Sequence, residues 1–167
     1  MPDSSPSTFL VDAYADPVVI RIEGRASFLN SAAVKEFVTA MIAQGKTRFA
    51  VDFKACASMD STFLGVLAGA AIQLRKLTPP GSLTLVRVGE RNLELIRNLG
   101  LHRLATVDTG GAVSAGGMNE LDALKLGEIE RARLVLEAHE NLVAADPDNA
   151  TKFQDVLAFL RNQLGPR

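Results

Sequence analysis

The stretch that decides the fold is FAVDFKACASMDSTFLGVL, residues 49–67. It begins with an apolar strand pattern that ends near Asp52, and it passes through Asp60 and Ser61 into an apolar helix. Asp60 or Ser61 is explained as a helix cap, because such side chains satisfy unpaired N–H groups of the first helical turn. The same helix start also favours a phosphate group, since the positive end of the helix dipole lies there. These residues alone leave two interpretations open, a cap and a chemically modified serine.

Strand and helix patterns alternate on both sides of this stretch. Val18, Ile20 and Ile22 alternate with more polar neighbours, which is typical of a half-buried strand. The alternation predicts an α/β protein whose sheet of four to five strands is covered by helices. The predicted strands lie within residues 8–24, 47–53, 82–88 and 103–107, the first range holding two, and the predicted helices within 30–45, 61–77 and 90–100.

Composition excludes several classes of function. The chain has 167 residues, 47% of them hydrophobic, and a net charge of −1, so we expect one domain with an appendage and no direct binding of nucleic acid. It has no run of 18 apolar residues, which argues against membrane insertion. Residues 1–9 do not resemble a signal peptide, and Cys56 has no cysteine partner within the chain. We therefore expect a cytoplasmic protein.

The C-terminal third has a different pattern. Residues 108–117, DTGGAVSAGG, have the composition of a flexible linker. Residues 118–167 then show two helical stripes joined at Asp146-Pro147-Asp148-Asn149, with Asn149 as the expected N-cap, which predicts a helical hairpin. The hairpin must bury its stripes, either on its own domain or against a second subunit, and we expect a homodimer. The stripes consist of Ile129, Ala132, Leu136 and Val143, and of Phe153, Val156, Leu157, Leu160 and Leu164.

The string around Asp52, Asp60 and Ser61 resembles the signature of STAS domains of the anti-sigma factor antagonist type. The resemblance covers residues 8–107, and it implies a domain over residues 1–107. It also implies that Ser61 is the serine phosphorylated by a partner anti-sigma factor kinase, which would supply the ATP. Many members have glycine where this chain has Phe63, which leaves the identity of the partner open.

The resemblance implies a regulatory binding protein. The unmodified form would bind the anti-sigma factor kinase and so free a sigma factor for transcription, and phosphorylation would switch that binding off. The expected partner-binding residues are Asp60, Thr62, Phe63 and Val66, together with Gly24, Arg25 and Ser27 of a polar loop. An alternative is a STAS subunit of a phospholipid-transport ATPase, which would act as a permanent interaction module without a switch.

The helix after Ser61 has more apolar surface than a sheet alone would cover. Its apolar side chains cover roughly 240° of the helix circumference, whereas a helix on a sheet needs a stripe of about 100° or somewhat more. The surplus around Phe63, Val66 and Ala70 is either buried by the C-terminal hairpin or the core, or is a docking face for a partner. Gly65 and Gly69 lie on one side of this helix and indicate close packing.

An enzyme that used Ser61 would need a base and an oxyanion site. The chain has only His102 and His139, neither in a recognisable catalytic sequence context, and it lacks a G-x-S-x-G motif. It also lacks a P-loop and the spacing of metal ligands. We therefore expect no catalytic residue, no metal and no cofactor.

Overall fold

The computed structural model describes residues 7–111 and 116–165. Its strands are β1 (Thr8–Asp12), β2 (Val18–Ala26), β3 (Arg48–Asp52), β4 (Cys56–Met59), β5 (Ser82–Val86), β6 (Thr106–Asp108) and β7 (Asn119–Glu120). Its helices are α1 (Ser31–Ala43), α2 (Ser61–Arg75), α3 (Glu90–Asn98), α4 (Glu128–Ala145), α5 (Asn149–Lys152) and α6 (Gln154–Leu164). A short 3-10 turn covers Leu101–Arg103.

The strands of the described residues form one mixed sheet. Its order is β6-β5-β3-β2-β1-β7, and β4 pairs with β2 beyond the end of β3. Strands β2, β3, β5 and β6 are parallel, whereas β1 and β7 run antiparallel to their neighbours. The register between β2 and β4 shifts at Gly24 and Arg25. The predicted α/β class and the five predicted strands are therefore confirmed.

The sheet has two more strands than the sequence predicts. Strand β4 has only four residues, none of them fully buried, so it lacks the alternation that marks a strand. Strand β7 has two residues, and it forms through pairing with Leu10 and Val11 of β1. Such pairing depends on the folded edge of β1 and has no local sequence signal.

The segment after the Gly-rich stretch differs from the prediction in its first ten residues. Residues 118–127 contain β7 and no helix, and α4 begins only at Glu128. The Glu130 carboxylate accepts the Gly127 N–H at 3.3 Å, which fixes the helix start there. Asp12 accepts the Gly116 N–H at 2.9 Å and ties this segment to β1. Residues 112–115 of the predicted linker lie outside the described residues, and the division of the chain at residues 108–117 stays a prediction.

The expected role of Asn149 as an N-cap is wrong. Asn149 is fully buried as the first residue of α5, and its side-chain amide donates to the carbonyl oxygens of Leu99 and Leu142 at 2.9 and 2.7 Å. The amide is used to join α5 to α4 and to the end of α3, because buried backbone carbonyls need donors.

Helix α2 lies between the sheet and α4. Leu134, Ala138 and Leu142 of α4 join the same buried core as the sheet and α2. Leu136 faces the other side and forms a smaller cluster with Leu157 and Leu160 of α6. The expected stripe on α4 is therefore only partly right, since Ile129 is 63% exposed. Of the two expected arrangements of the hairpin, the structure has the internal one, and a homodimer stays a prediction.

Candidate functional site

Asp60 organises the site at the start of α2. Its backbone is extended, and its Oδ1 accepts the Phe63 N–H at 3.0 Å, so Asp60, and not Ser61, is the N-cap of the two that the sequence left open. Its other carboxylate oxygen accepts the Phe28 N–H at 2.8 Å. One carboxylate thus holds the helix start and the loop after β2 together.

The segment over residues 24–30, which contains the end of β2 and the loop after it, is shaped by its own hydrogen bonds. Gly24 has a φ of +87°, a left-handed conformation that glycine adopts without strain. Asn30 accepts the Ser27 N–H at 2.8 Å and donates to the Arg25 carbonyl at 2.8 Å. The expected polar loop is therefore only partly right, because Gly24 and Arg25 are still in β2, where they pair with Cys56 and Ser58 of β4, and only Ser27 lies in the loop before Phe28. The role of Gly24, Arg25 and Ser27 in binding a partner stays a prediction.

Ser61 is half-buried, and its hydroxyl has a partner in the C-terminal hairpin. Ser61 Oγ lies 2.9 Å from Nε2 of His139, and Nδ1 of His139 lies 2.7 Å from the Val135 carbonyl oxygen. A carbonyl only accepts, so Nδ1 donates; in the neutral ring Nε2 is then the acceptor and the Ser61 hydroxyl donates to it. The His139 ring is 4% exposed and meets Phe153 edge-on at 4.8 Å. The serine is thus anchored to a buried histidine.

The comparisons with known proteins agree with this fold. A family model described as "Mlab, STAS domain" matches residues 9–107. The chain belongs to the STAS domain family. A search of curated proteins gives no match.

Solved structures resemble this STAS domain at low sequence identity. A Thermotoga maritima protein provisionally assigned as an anti-sigma factor antagonist is 18% identical, with a TM-score of 0.51, and the match covers 60% of this chain and 85% of that one. The unphosphorylated anti-sigma factor antagonist SpoIIAA is 21% identical with a TM-score of 0.48, and the match covers 53% of this chain and 81% of that one. SpoIIAA of Bacillus in its phosphorylated form is 21% identical with a TM-score of 0.49, and the match covers 59% of this chain and 89% of that one. The Thermotoga match supports the STAS fold.

Three of the expected partner-binding residues lie inside the STAS domain. Thr62, Phe63 and Val66 are buried, and Phe63 stacks on Phe9 with ring centroids 5.8 Å apart. They face the core or α4, because α2 is packed on more than one side. The structure thus corrects their expected place at an open surface, and the surplus apolar arc of α2 is covered by α4.

Sequence reasoning missed His139 as a neighbour of Ser61 and set it aside as lacking context. The two residues are 78 positions apart, with a Gly-rich segment between them. A signal was present, because His139 follows Leu136 by three residues and precedes Val143 by four, inside a predicted apolar stripe. A polar side chain in such a stripe needs a buried partner. Phe28 and Leu29, 41% and 62% exposed beside Asp60, were also missed.

Asp52, at the end of β3, forms a buried ion-pair cluster with two arginines. Its side chain is fully buried, accepts Arg87 Nε at 3.0 Å and Arg21 Nε at 3.3 Å, and pairs closely with Arg87 Nη2. Burial raises its pKa, but the hydrogen bonds from Arg87 and from the Lys54 N–H outweigh it, so the pKa of Asp52 lies below its ordinary value. Asp52 thus joins β3 to Arg21 of β2 and to Arg87, which directly follows β5.

Other kinds of site have little support within residues 7–111 and 116–165. In these ranges no group of three His, Cys, Asp or Glu side chains could hold a metal ion. Burial raises the pKa of the Cys56 thiol to about 11, which keeps this cysteine protonated at neutral pH. No helix in the described part of the chain has the length and apolar character needed to cross a bilayer.

Proposed function

We propose that this STAS domain is an anti-sigma factor antagonist. It binds an anti-sigma factor kinase through the surface around Ser61, and phosphorylation of Ser61 ends the binding. The observation that carries the proposal is the position of Ser61, the first residue of α2. It directly follows Asp60, which caps α2 and also holds the loop after β2 through the Phe28 N–H. We propose that the protein acts by binding, in the cytoplasm, and not as an enzyme.

The surface beside Ser61 has the composition of a protein-binding site. Phe28 and Leu29 are exposed, and the backbone that carries them is fixed by Asp60 and Asn30. A preorganised apolar pair with a polar rim loses little conformational entropy when a partner binds. Arg25 and Ser27 precede this pair in the chain, and Ser61 follows Asp60, which accepts the Phe28 N–H.

A phosphate on Ser61 would change binding far more than folding. It adds about 1.5 to 2 negative charges. At a helix N-terminus a negative charge is favourable by about 0.3 to 1 kcal/mol, so the fold tolerates it. The same charge buried against a partner costs desolvation and repels the neighbouring Asp60. A loss of about 3 kcal/mol at the interface corresponds to roughly hundredfold weaker binding.

Phosphorylation by purified kinase tests the proposal. Each anti-sigma factor serine kinase of the source genome is incubated with the full-length protein and ATP, and phosphate is located by mass spectrometry. We expect one phosphate, on Ser61, and none in Ser61→Ala. Ser58→Ala is the matched control, because Ser58 lies on β4 nearby and should not alter uptake. Equal uptake by Ser61→Ala and the wild type would refute the assignment.

One observation favours a second function. The Ser61 hydroxyl is bonded to a buried histidine of the same chain, as a serine with a structural role would be. This suits a permanent interaction module, such as a STAS subunit of a phospholipid-transport ATPase. A permanent module would be copurified with its transporter from native cells, and Ser61→Glu would leave that association unchanged.

A further inference from the structure

Helix α4 packs unusually closely on α2. A Cβ atom added at Gly65 would lie 2.2 Å from the carbonyl oxygen of Ala138 and 2.7 Å from its Cα. These are backbone atoms, which cannot move aside unless α4 itself shifts. Only glycine at position 65 therefore permits the observed approach of the two helices.

Polar contacts fix the position of α4 at three points. The Ser61 hydroxyl meets His139, and Asn141 Nδ2 donates to the Gly65 carbonyl at 3.2 Å. Glu137 forms an ion pair of 2.9 Å with Lys35 of α1. Because the first contact uses the serine itself, α4 lies across one side of the proposed phosphorylation site.

The contact combines buried core residues with an open edge. Leu134, Ala138 and Leu142 of α4 belong to the main core, and a cleft of about 120 Å³ lies between α1, α2 and α4. The ion pair at its edge is formed by two partly exposed side chains, and such pairs contribute little stability. Helix α4 is joined to β6 by residues 109–127, whose described part contains no helix and is tied to β1 through β7 and Gly116. Displacement of α4 exposes Leu134, Ala138 and Leu142 together with Ser61, so a state with α4 displaced is a minor one.

We propose that α4 is a reversible cover that controls access to Ser61. With α4 docked, the Ser61 hydroxyl is held by His139 and the face of α2 next to it is buried. A kinase that must surround the serine can act only when α4 is displaced. This inference rests on the proposed function, and it adds that the C-terminal hairpin inhibits the switch within the same chain.

A reversible cross-link tests the proposal in the full-length protein. A Cβ at Gly69 would lie 3.2 Å from Asn141 Cγ, the position that the sulfur of a cysteine at 141 would take, so Gly69→Cys with Asn141→Cys brings the two side chains within reach of a disulfide. Cys56 does not compete readily, because its thiol is protonated at neutral pH. A minor open state is populated at about 0.1 to 10%. The reduced protein should therefore be phosphorylated on Ser61, and oxidation should lower the rate at least tenfold.

Gly65→Ala is the opposite perturbation. The added methyl group meets the Ala138 backbone and should displace α4, so the rate of Ser61 phosphorylation should rise by about tenfold or more as the open fraction approaches one. Gly69→Ala is the weaker perturbation for comparison, because its methyl group meets the Asn141 side chain and not the backbone of α4, although it disturbs the hydrogen bond from Asn141 to Gly65. Hydrogen exchange of the α4 amides, measured without any kinase, should be faster in Gly65→Ala than in Gly69→Ala.

The outcomes separate this proposal from the proposed function. Equal phosphorylation rates for the oxidised and reduced proteins would overturn the cover and leave the phosphorylation of Ser61 intact. Exchange of α4 amides no faster than that of α2 in the wild type would also overturn it, since α4 would then open only on global unfolding. If no form is phosphorylated, including Gly65→Ala, the proposed function fails and the cover fails with it.

Discussion

The hydrogen bond between Ser61 and His139 predicts a measurable coupling between two residues 78 positions apart. Ser61→Ala removes the donor and leaves Nε2 of a histidine that is only 4% exposed without its protein partner. An unsatisfied buried polar group costs about 1 to 3 kcal/mol. The free energy of unfolding should fall by that amount, and the melting temperature should fall by about 2 to 4 °C per kcal/mol for a chain of this size.

A double-mutant cycle isolates the hydrogen bond from other effects of the substitutions. Ser61→Ala also changes helix propensity at the first position of α2, and His139→Ala also removes the contact with Phe153. Both side effects cancel in the cycle, which leaves a coupling energy expected at about 0.5 to 3 kcal/mol. Urea denaturation of the wild type, the two single variants and the double variant gives the four values required.

The cycle has a clear refuting result. If Ser61→Ala costs as much in the His139→Ala background as in the wild type, the two side chains do not interact, and α4 is not held at Ser61. A coupling of the expected size with Ser58→Ala in place of Ser61→Ala would equally contradict the reasoning, since Ser58 lies outside this contact.

Three further outcomes are expected. Ser61→Asp should retain the fold, as judged by circular dichroism, because a carboxylate is favourable at a helix start. It should at the same time weaken kinase binding, and a variant that unfolds at ordinary temperature would contradict this. Asp52→Asn should lower the melting temperature at neutral pH. The difference in melting temperature from the wild type should become smaller below about pH 4, because the pKa of Asp52 is lower in the folded protein and the unfolded chain takes up the proton first. A difference that does not change with pH would contradict this. A fluorophosphonate probe should not label Ser61, because the base beside it, His139 of α4, is buried and its Nδ1 bonds to a backbone carbonyl and not to a carboxylate; stoichiometric labelling would support a hydrolase instead.

The sequence predicts the STAS domain well because its elements are strongly periodic. Strands β1, β2, β3 and β5 and helices α1 to α3 are marked by apolar alternation and by Gly and Pro at their ends. Strands β4 and β7 could not be predicted, because four residues and two residues carry too little pattern and each forms only by pairing with a neighbour that is already folded.

The C-terminal hairpin was harder to predict, because α4 is packed on two sides. Leu134 and Ala138 face α2, whereas Leu136 faces α6, so the buried positions do not form the single stripe that a helix with one partner would show. The contact between His139 and Ser61 depends on which face of α4 meets α2, and tertiary packing decides this orientation. The apolar pattern of α4 therefore predicts the helix but not which of its faces meets α2.

The two glycines of α2 show why this helix needs a cover. Glycine in a helix interior costs about 0.5 to 1 kcal/mol relative to alanine, so Gly65 and Gly69 together cost about 1 to 2 kcal/mol. Gly65 meets the backbone of Ala138 and Gly69 meets Asn141, so both face α4. The cost is offset only when α4 is docked, through the burial of Leu134, Ala138 and Leu142. The glycines of α2 thus fit this helix for close contact with α4, which packs on the STAS domain of the same chain beside Ser61.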